Sequence, residues 1–294
     1  MQFEIVEVLG SGVLHSMDCT PSIPVRYSLP FETAAIPLND LLGRTLVLRF
    51  DGRITCQYCG TVTRKSYGDG YCYPCFKKLA RCDLCVVSPD RCHYAAGTCR
   101  EPAWGETFCM QPHLVYLANS AGAKVGITTP ANIPMRWLDQ GATQAVIIMG
   151  TQSRFQAGCV EAALARHVSD RTVWRNLVGR DALELDLVGL CRRLRIEAAR
   201  ALAELDDRFP GALTWVEQPS PVQFEYPVAS YAGPPIGLTL EPGIAIGGTL
   251  LGIKGQYLMF DSGVFNVRRH TSYHVEVARA ADIAPDRRGQ MELF

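Results

Sequence analysis

Cys56-Gln57-Tyr58-Cys59, Cys72-Tyr73-Pro74-Cys75, Cys82-Asp83-Leu84-Cys85, Cys92 and Cys99 decide how this chain can fold. Eight of its 12 cysteines fall in this one stretch. A two-residue gap lets both thiolates of a knuckle turn onto one ion. Two knuckles separated by a short excursion have the spacing of a tetrahedral zinc ribbon. Cys56, Cys59, Cys72 and Cys75 are therefore expected to hold one zinc. Cys82, Cys85, Cys92 and Cys99 are expected to hold a second, with Cys109 and His93 as reserve ligands. Close-set pairs argue against ordinary core thiols or disulfides. An iron–sulfur cluster stays open as an alternative, because cysteines crowd the segment from Cys82 to Cys109 and thiolates suit both metals. Residues 55–112 have little apolar material, so metal ligation must supply much of their folding free energy.

The chain around this module has 294 residues, room for two domains or three small ones. A hydrophobic fraction of 48% and a charged fraction of 20% are ordinary for a globular protein. Lysine plus arginine equals aspartate plus glutamate at 29 each, which excludes a globally basic protein. Any basic surface must be local. Met1-Gln2-Phe3-Glu4 lacks the basic and apolar regions of an export signal, and no apolar stretch reaches the ~18 residues of a membrane span. Thiolate metal sites without an export signal predict the reducing cytoplasm and no membrane partner.

Alternation and turn residues predict strands before the module, at Phe3–Leu9 ending at Gly10-Ser11-Gly12, at Val25–Leu29, and at Thr45–Phe50 ending at Asp51-Gly52. Leu38–Leu42 reads as a helical turn. After the module, Leu114–Ala118 and Lys124–Thr128 read as a hairpin turning at Asn119–Gly122. A helix within Pro130–Leu138 and a third strand at Ala145–Met149 follow. Gly158–Val168 reads as a helix with Glu161 in its first turn, and Asp170 as the cap of another through Leu177. Residues 182–207 read as the longest helix, with Leu183, Leu187, Leu190, Leu194 and Ala198 on its apolar face. Residues 223–279 return to strands, and 280–294 read as an exposed tail. The expected domains are a β segment at 1–54 pairing with 223–279, a cysteine module at 55–112 and an α/β core at 113–222. Cys19, Cys159 and Cys191 are isolated and read as structural, and His167 as a surface or packing residue.

Val115-Tyr116, Lys124-Val125-Gly126-Ile127-Thr128 and Arg136 together resemble the GIY-YIG nuclease family. Tyr116 matches the family's first tyrosine, Gly126 its closing glycine and Arg136 the arginine of the following helix. Leu114-Val115-Tyr116 replaces Gly-Ile-Tyr, Lys124 stands at the second tyrosine, and Gln140 stands where many members carry histidine. The resemblance implies an α+β fold in which a three-stranded antiparallel sheet packs with helices, beside the double zinc-ribbon module and the β domain of the two chain ends. It implies Tyr116, Lys124, Arg136 and Glu161 as catalytic residues, with Glu161 binding magnesium or manganese. Gly126, Gln140, Arg171, Arg175 and Asn176 are the expected nucleic-acid contacts. Phosphodiester hydrolysis needs an activated water and positive charge on the developing phosphate, which such residues could supply. Over nearly its whole length the chain is also similar to an uncharacterised bacterial family. That likeness is carried by Gly70–Phe76, Gly97–Glu106, Arg136–Ala142 and Gly252–Tyr257, and implies architecture without an activity.

The tail ends Gln290-Met291-Glu292-Leu293-Phe294 after the polar Pro285–Gly289. Gln290, Leu293 and Phe294 resemble the short motif by which bacterial repair proteins dock on the replicative sliding clamp. Two functions follow. One is a metal-dependent nuclease acting on DNA in replication or repair. The other is a non-catalytic nucleic-acid-binding adaptor, for DNA or RNA. Arg166, Arg171, Arg175, Arg192, Arg193 and Arg195 could track a backbone in either, or form solvated helix faces.

Overall fold

A computed structural model describes residues 3–32, 34–168 and 174–282. Asp170, Arg171, Gln290, Leu293 and Phe294 lie outside the described residues. The fold is mixed α+β. Its largest sheet joins the two ends of the chain: Ile5–Val13 pairs with Tyr273–Ala280, that strand with Thr45–Thr55, and that in turn with Ala245–Lys254, all antiparallel. Tyr257–Phe260 and Gly263–Asn266 extend the sheet as antiparallel neighbours, and Gly237–Leu238 closes it in parallel. Period-two alternation turns Leu46, Leu48, Phe50, Val275 and Val277 into one core. A small sheet of Asp18–Thr20, Arg26–Pro30 and Ala35–Pro37 adds Tyr27, Leu29 and Ile36 to it.

Two turn signals of the sequence proved to be strand interior. The first strand runs through Gly10 and Gly12 to Val13. The Phe31 ring lies 3.3 Å from where a Cβ would stand at either glycine, so they admit a ring rather than a turn. Thr45–Thr55 likewise continues past Asp51-Gly52. There Phe50 faces Val275 and Ile54 faces Tyr273, so the intervening residues bulge, with Gly52 at φ 94°. The bulge lets this strand run directly into Cys56.

The second sheet has the order Leu213–Trp215, Gln144–Thr151, His113–Asn119, Ala123–Thr128, with Val222–Gln223 also paired to Gln144–Thr151. Val115, Leu117, Val125, Ile127, Val146 and Ile148 belong to a core shared with the helices Arg154–Leu164, Leu187–Glu197 and Ala199–Arg208. Tyr116, Ala118 and Ala145 pack instead with Trp137 and Ala142.

The helices differ from expectation at their ends. The helix carrying Glu161 begins at Arg154, because the Ser153 side chain caps it by accepting from the Gln156 N–H. Glu161 therefore lies in its later half, beyond the reach of the N-terminal dipole. The expected long helix is two, starting at Leu187 with Asp186 as cap and breaking at Ala198, whose ψ of 8° leaves the helical range. Leu183 is outside both and 83% exposed. The expected tail also begins later: Ala280 pairs with Ile5, and the Asp282 carboxylate accepts from the Thr45 N–H at 3.1 Å and meets Arg44 at 3.1 Å. Among the described residues no helix is long and apolar enough to cross a membrane.

The cysteine module is pinned to both sheets. Thr271 Oγ1 donates to the Asp69 carbonyl at 2.7 Å and Ser272 Oγ to the Gly70 carbonyl at 2.8 Å. From the other side Arg154 donates to the Val86 carbonyl at 2.6 Å.

Candidate functional site

Cys56, Cys59, Cys72 and Cys75 present four sulfurs that all lie within 4.8 Å of one another. Cys56 continues the Thr45–Thr55 strand, and Val62–Thr63 folds back beside it. Cys72 and Cys75 flank the start of the short helix Tyr73–Lys78, where Pro74 suits the first turn. Burial opposes ionisation of Cys56, but the backbone N–H groups of Cys59, Cys72 and Tyr58 outweigh it and lower its pKa. The Thr61 hydroxyl and N–H bring Cys59 down to about 6. Cys75 is driven the other way, by burial and then by the neighbouring sulfurs of Cys72, Cys59 and Cys56. Donors are thus already aimed at some sulfurs, while burial and the hydrogen bonds among the sulfurs keep the whole set from ionising unaided. A bound cation removes that conflict. The residues fit a metal such as zinc.

The other expected quartet does not gather in the same way. Among the described residues, the second group of ligand atoms within 4.8 Å is Asp83, Cys85 and His93. Cys82 is raised by burial and sits in the fields of Arg100, Arg81, Cys56 and Glu101, on the side of the first quartet. Cys85 sits in the fields of Asp83, Cys92, Cys109 and Cys99.

The residues singled out in the second sheet converge on one phenol. Tyr116 stands directly opposite Gly126 across the hairpin. A Cβ at Gly126 would lie 2.5 Å from the Tyr116 Cζ and hydroxyl, so the glycine is what lets the ring cross the edge strand Ala123–Thr128. The Tyr116 hydroxyl donates to Gln140 Oε1 at 3.0 Å, and its ring meets Trp137 edge-on at 5.9 Å. Tyr116 is 0% exposed. Burial raises its pKa, Arg136 and Gln140 work against that rise, and Glu161 adds to it. Lys124 lies two residues from Gly126 on the same strand and hence on the same face. It pairs in register with Ala118 and is half-buried.

Arg154 is the member of this site that sequence reasoning missed. Burial lowers its pKa, and the fields of Cys109 and Glu161 oppose that. Its Nε and the Arg136 Nε are buried without hydrogen-bond partners. Nothing in the sequence marks Arg154, since its role depends on which helix face meets the module. Two guanidinium groups and the single carboxylate of Glu161 leave this corner net positive, as an anion site requires. Glu161 belongs to neither cluster of metal-ligating groups found among the described residues.

Arg175 and Asn176 are exposed on the helix Trp174–Gly179. The Arg175 guanidinium lies 4.8 Å over the Trp174 ring. Arg175 borders a separate pocket of about 420 Å³ with Tyr257, Asn266 and Arg269. Arg193 meets Glu197 at 3.6 Å one turn on, and Arg195 covers the Trp215 ring at 4.5 Å, as solvated helix faces do.

A mixed α+β protein with a cysteine quartet close enough to hold a metal and a buried tyrosine flanked by arginine and glutamate is the class these observations define. The chain belongs to the family described as "protein of unknown function (DUF2797)", whose model matches residues 43–275. No curated protein and no solved structure matches it.

Proposed function

We propose that the protein is a GIY-YIG-like, metal-dependent nuclease that acts on DNA in replication or repair, with zinc in the first cysteine quartet as a structural staple. The observation that carries this reading is the convergence of Arg136, Gln140 and Glu161 on the Tyr116 phenol, across a Gly126 that the ring requires. In this reading Arg136 and Arg154 hold the scissile phosphate and neutralise charge that grows on it. Gln140 orients the phenol, and Tyr116 positions the attacking water. Glu161 would hold a divalent cation, which when bound supplies charge stabilisation for the leaving oxygen. Lys124, on the same strand face, is the candidate for polarising the water.

One observation favours a second reading, in which the cluster binds phosphate without cutting. The Tyr116 phenol is fully buried, and its raised pKa keeps its proton in place. A nucleic-acid-binding adaptor needs no more than the positive corner. The two readings separate in a cleavage assay on the metal-replete protein. The substrates are single-stranded, duplex and branched DNA and tRNA, with magnesium or manganese, beside Arg136→Ala and Glu161→Ala. Cutting by the wild type and by neither variant is the expected result. Intact substrates throughout, with binding retained, replace the nuclease by the adaptor. Docking on the sliding clamp rests on the motif Gln290, Leu293 and Phe294. Deleting residues 290–294 is expected to abolish clamp association and leave cleavage of naked DNA unchanged; association that survives the deletion removes the docking idea.

A further inference from the structure

The pocket of about 420 Å³ that Arg175 borders lies at the edge of the largest sheet, and none of its lining residues belongs to the cysteine quartet or the Tyr116 corner. It forms where the helix Trp174–Gly179 meets the strands Gly237–Leu238, Tyr257–Phe260 and Gly263–Asn266. Leu177 and Val178 bury one side of that helix against Met259 and Val264, while Trp174 borders the pocket. The Trp174 ring runs nearly parallel to that of Tyr257, with centroids 6.2 Å apart and planes 9° apart. The edge of the indole lies 3.9 Å from where a Cβ would stand at Gly237. Both aromatic residues are half-buried, so part of each stays accessible.

Two guanidinium groups, those of Arg175 and Arg269, border the same pocket, and no carboxylate of a described residue does. Arg175 lies 4.8 Å over the Trp174 ring. Arg269 follows Asn266, whose side-chain oxygen accepts from the Arg269 N–H at 3.0 Å and so fixes the turn. Among the described residues neither guanidinium has an ion pair, whereas the adjacent Arg268 is committed to Asp139 at 2.7 Å. Two other pockets lack this balance. The one around Arg49 and Arg53 also holds Glu276 and Asp51, which pair with them at 3.4 Å and 3.8 Å. The one beside Gln144 has Glu184 and Glu225 and no arginine among its described residues.

Aromatic rings beside unpaired guanidinium groups select a ligand that is both planar and anionic. A base stacks on indole and phenol rings, and a phosphate takes the forked N–H donors of arginine. We infer that this pocket binds one nucleotide unit, its base against Trp174 and Tyr257 and its phosphate on Arg175 and Arg269. A pocket of this size holds a single small ligand. Stacking on the rings requires a base whose faces are free, so the nucleotide is either free in solution or unpaired within a strand, and a base inside a duplex is excluded. Leu177 of the same helix lies 3.1 Å from where a Cβ would stand at Gly141, next to the Gln140 that accepts from the Tyr116 phenol. The pocket's helix is thus packed on the segment that orients the phenol. As a strand-binding site the inference rests on the nucleic-acid reading above, and it narrows the substrate to one with an unpaired nucleotide.

The test is binding to the metal-replete full chain without added magnesium. The probes are a fluorescein-labelled oligothymidylate single strand and a labelled hairpin duplex, both followed by anisotropy, and free thymidine monophosphate, followed by calorimetry. Trp174→Leu and Arg269→Glu are each expected to weaken the single strand roughly tenfold, and Trp174→Phe to restore most of the loss at that position. Arg269→Ala should lower the slope of log K against log salt by about 0.7, the share of one phosphate contact on a single strand. Arg175 and Arg269 are exposed, so Arg175→Glu and Arg269→Glu keep the test decisive should Trp174→Leu not fold. A single strand held equally by the wild type and all variants overturns the pocket and leaves the nucleic-acid reading standing. Thymidine monophosphate bound and lost in the same variants, with neither strand bound, supports the pocket as a free-nucleotide site and counts against the nucleic-acid reading. A duplex weakened by the variants as much as the single strand, or no binding of any probe, overturns the inference; cleavage is judged separately with Arg136→Ala and Glu161→Ala.

Discussion

Gly126 shows how much one missing Cβ can decide. The Tyr116 ring crosses the edge of its sheet at the point where any side chain on residue 126 would stand, 2.5 Å from its hydroxyl. Only that passage lets the phenol reach Gln140, and Arg136 and Glu161 act on it there. Gly126→Ala should therefore overpack a buried contact and cost about 1–3 kcal/mol, read as a lower urea midpoint. Repeating the substitution in a Tyr116→Ala protein should cost less, because the ring has gone. Equal costs in the two backgrounds would show that the contact is not the source of the strain.

At the scale of elements, the cysteine module has a quartet that could hold a metal, and moorings to its neighbours, in place of a core. The helix Tyr73–Lys78 has no buried residue, and Tyr58, Tyr73, Leu84 and Val87 are exposed. The strands His113–Asn119 and Ala123–Thr128 sit instead on a continuous apolar cluster. Chelation of the metal should raise hydrogen exchange at residues 56–75 while leaving the hairpin 113–128 protected. Uniform loss of protection in both regions would mean that the metal holds the whole molecule, and no change in either would mean that the module is stable without it.

Across the whole molecule, acid should weaken the fold through buried imidazoles. His270 is buried and stacked on Phe265 at 4.6 Å, with Nδ1 on the Asn266 carbonyl at 2.9 Å and Nε2 facing the Leu240 N–H at 3.5 Å. This arrangement suits the neutral ring, donating from Nδ1 and accepting at Nε2. Burial lowers its pKa below the ordinary 6.5, the Asn266 carbonyl opposes this, and nearby Arg269 lowers it further. The unfolded chain therefore takes up the proton first as pH falls. The stability is fully present above 6.5 and is lost as pH drops from there toward the folded value. Urea unfolding between about pH 8 and 5 should show that slope, and His270→Gln should flatten part of it. An equal slope in the variant would assign the acid sensitivity to other groups, such as the buried His113 or the thiolates.

The first cysteine quartet was legible in the sequence because its ligands come in two local knuckles, and a two-residue gap constrains geometry wherever the chain goes next. The same holds for the hairpin around Asn119–Gly122 and for most strands, whose alternation is a local signal. Strand ends at Gly10–Gly12 and Gly52 were not legible, since a glycine that admits the Phe31 ring or forms a bulge looks like a glycine that makes a turn. The start of the helix at Arg154 turned on the Ser153 cap, and its meeting with the cysteine module drew Arg154 beside Glu161. Cys82-Asp83-Leu84-Cys85 has the spacing of a knuckle, yet its two thiols face different neighbours. By itself the sequence determined that metal, paired terminal strands and a Tyr–Gly–Arg hairpin core were to be expected here. Which thiols face one another, and which charges surround the buried phenol, was decided only by tertiary packing, because those distances depend on how segments far apart in the chain come together.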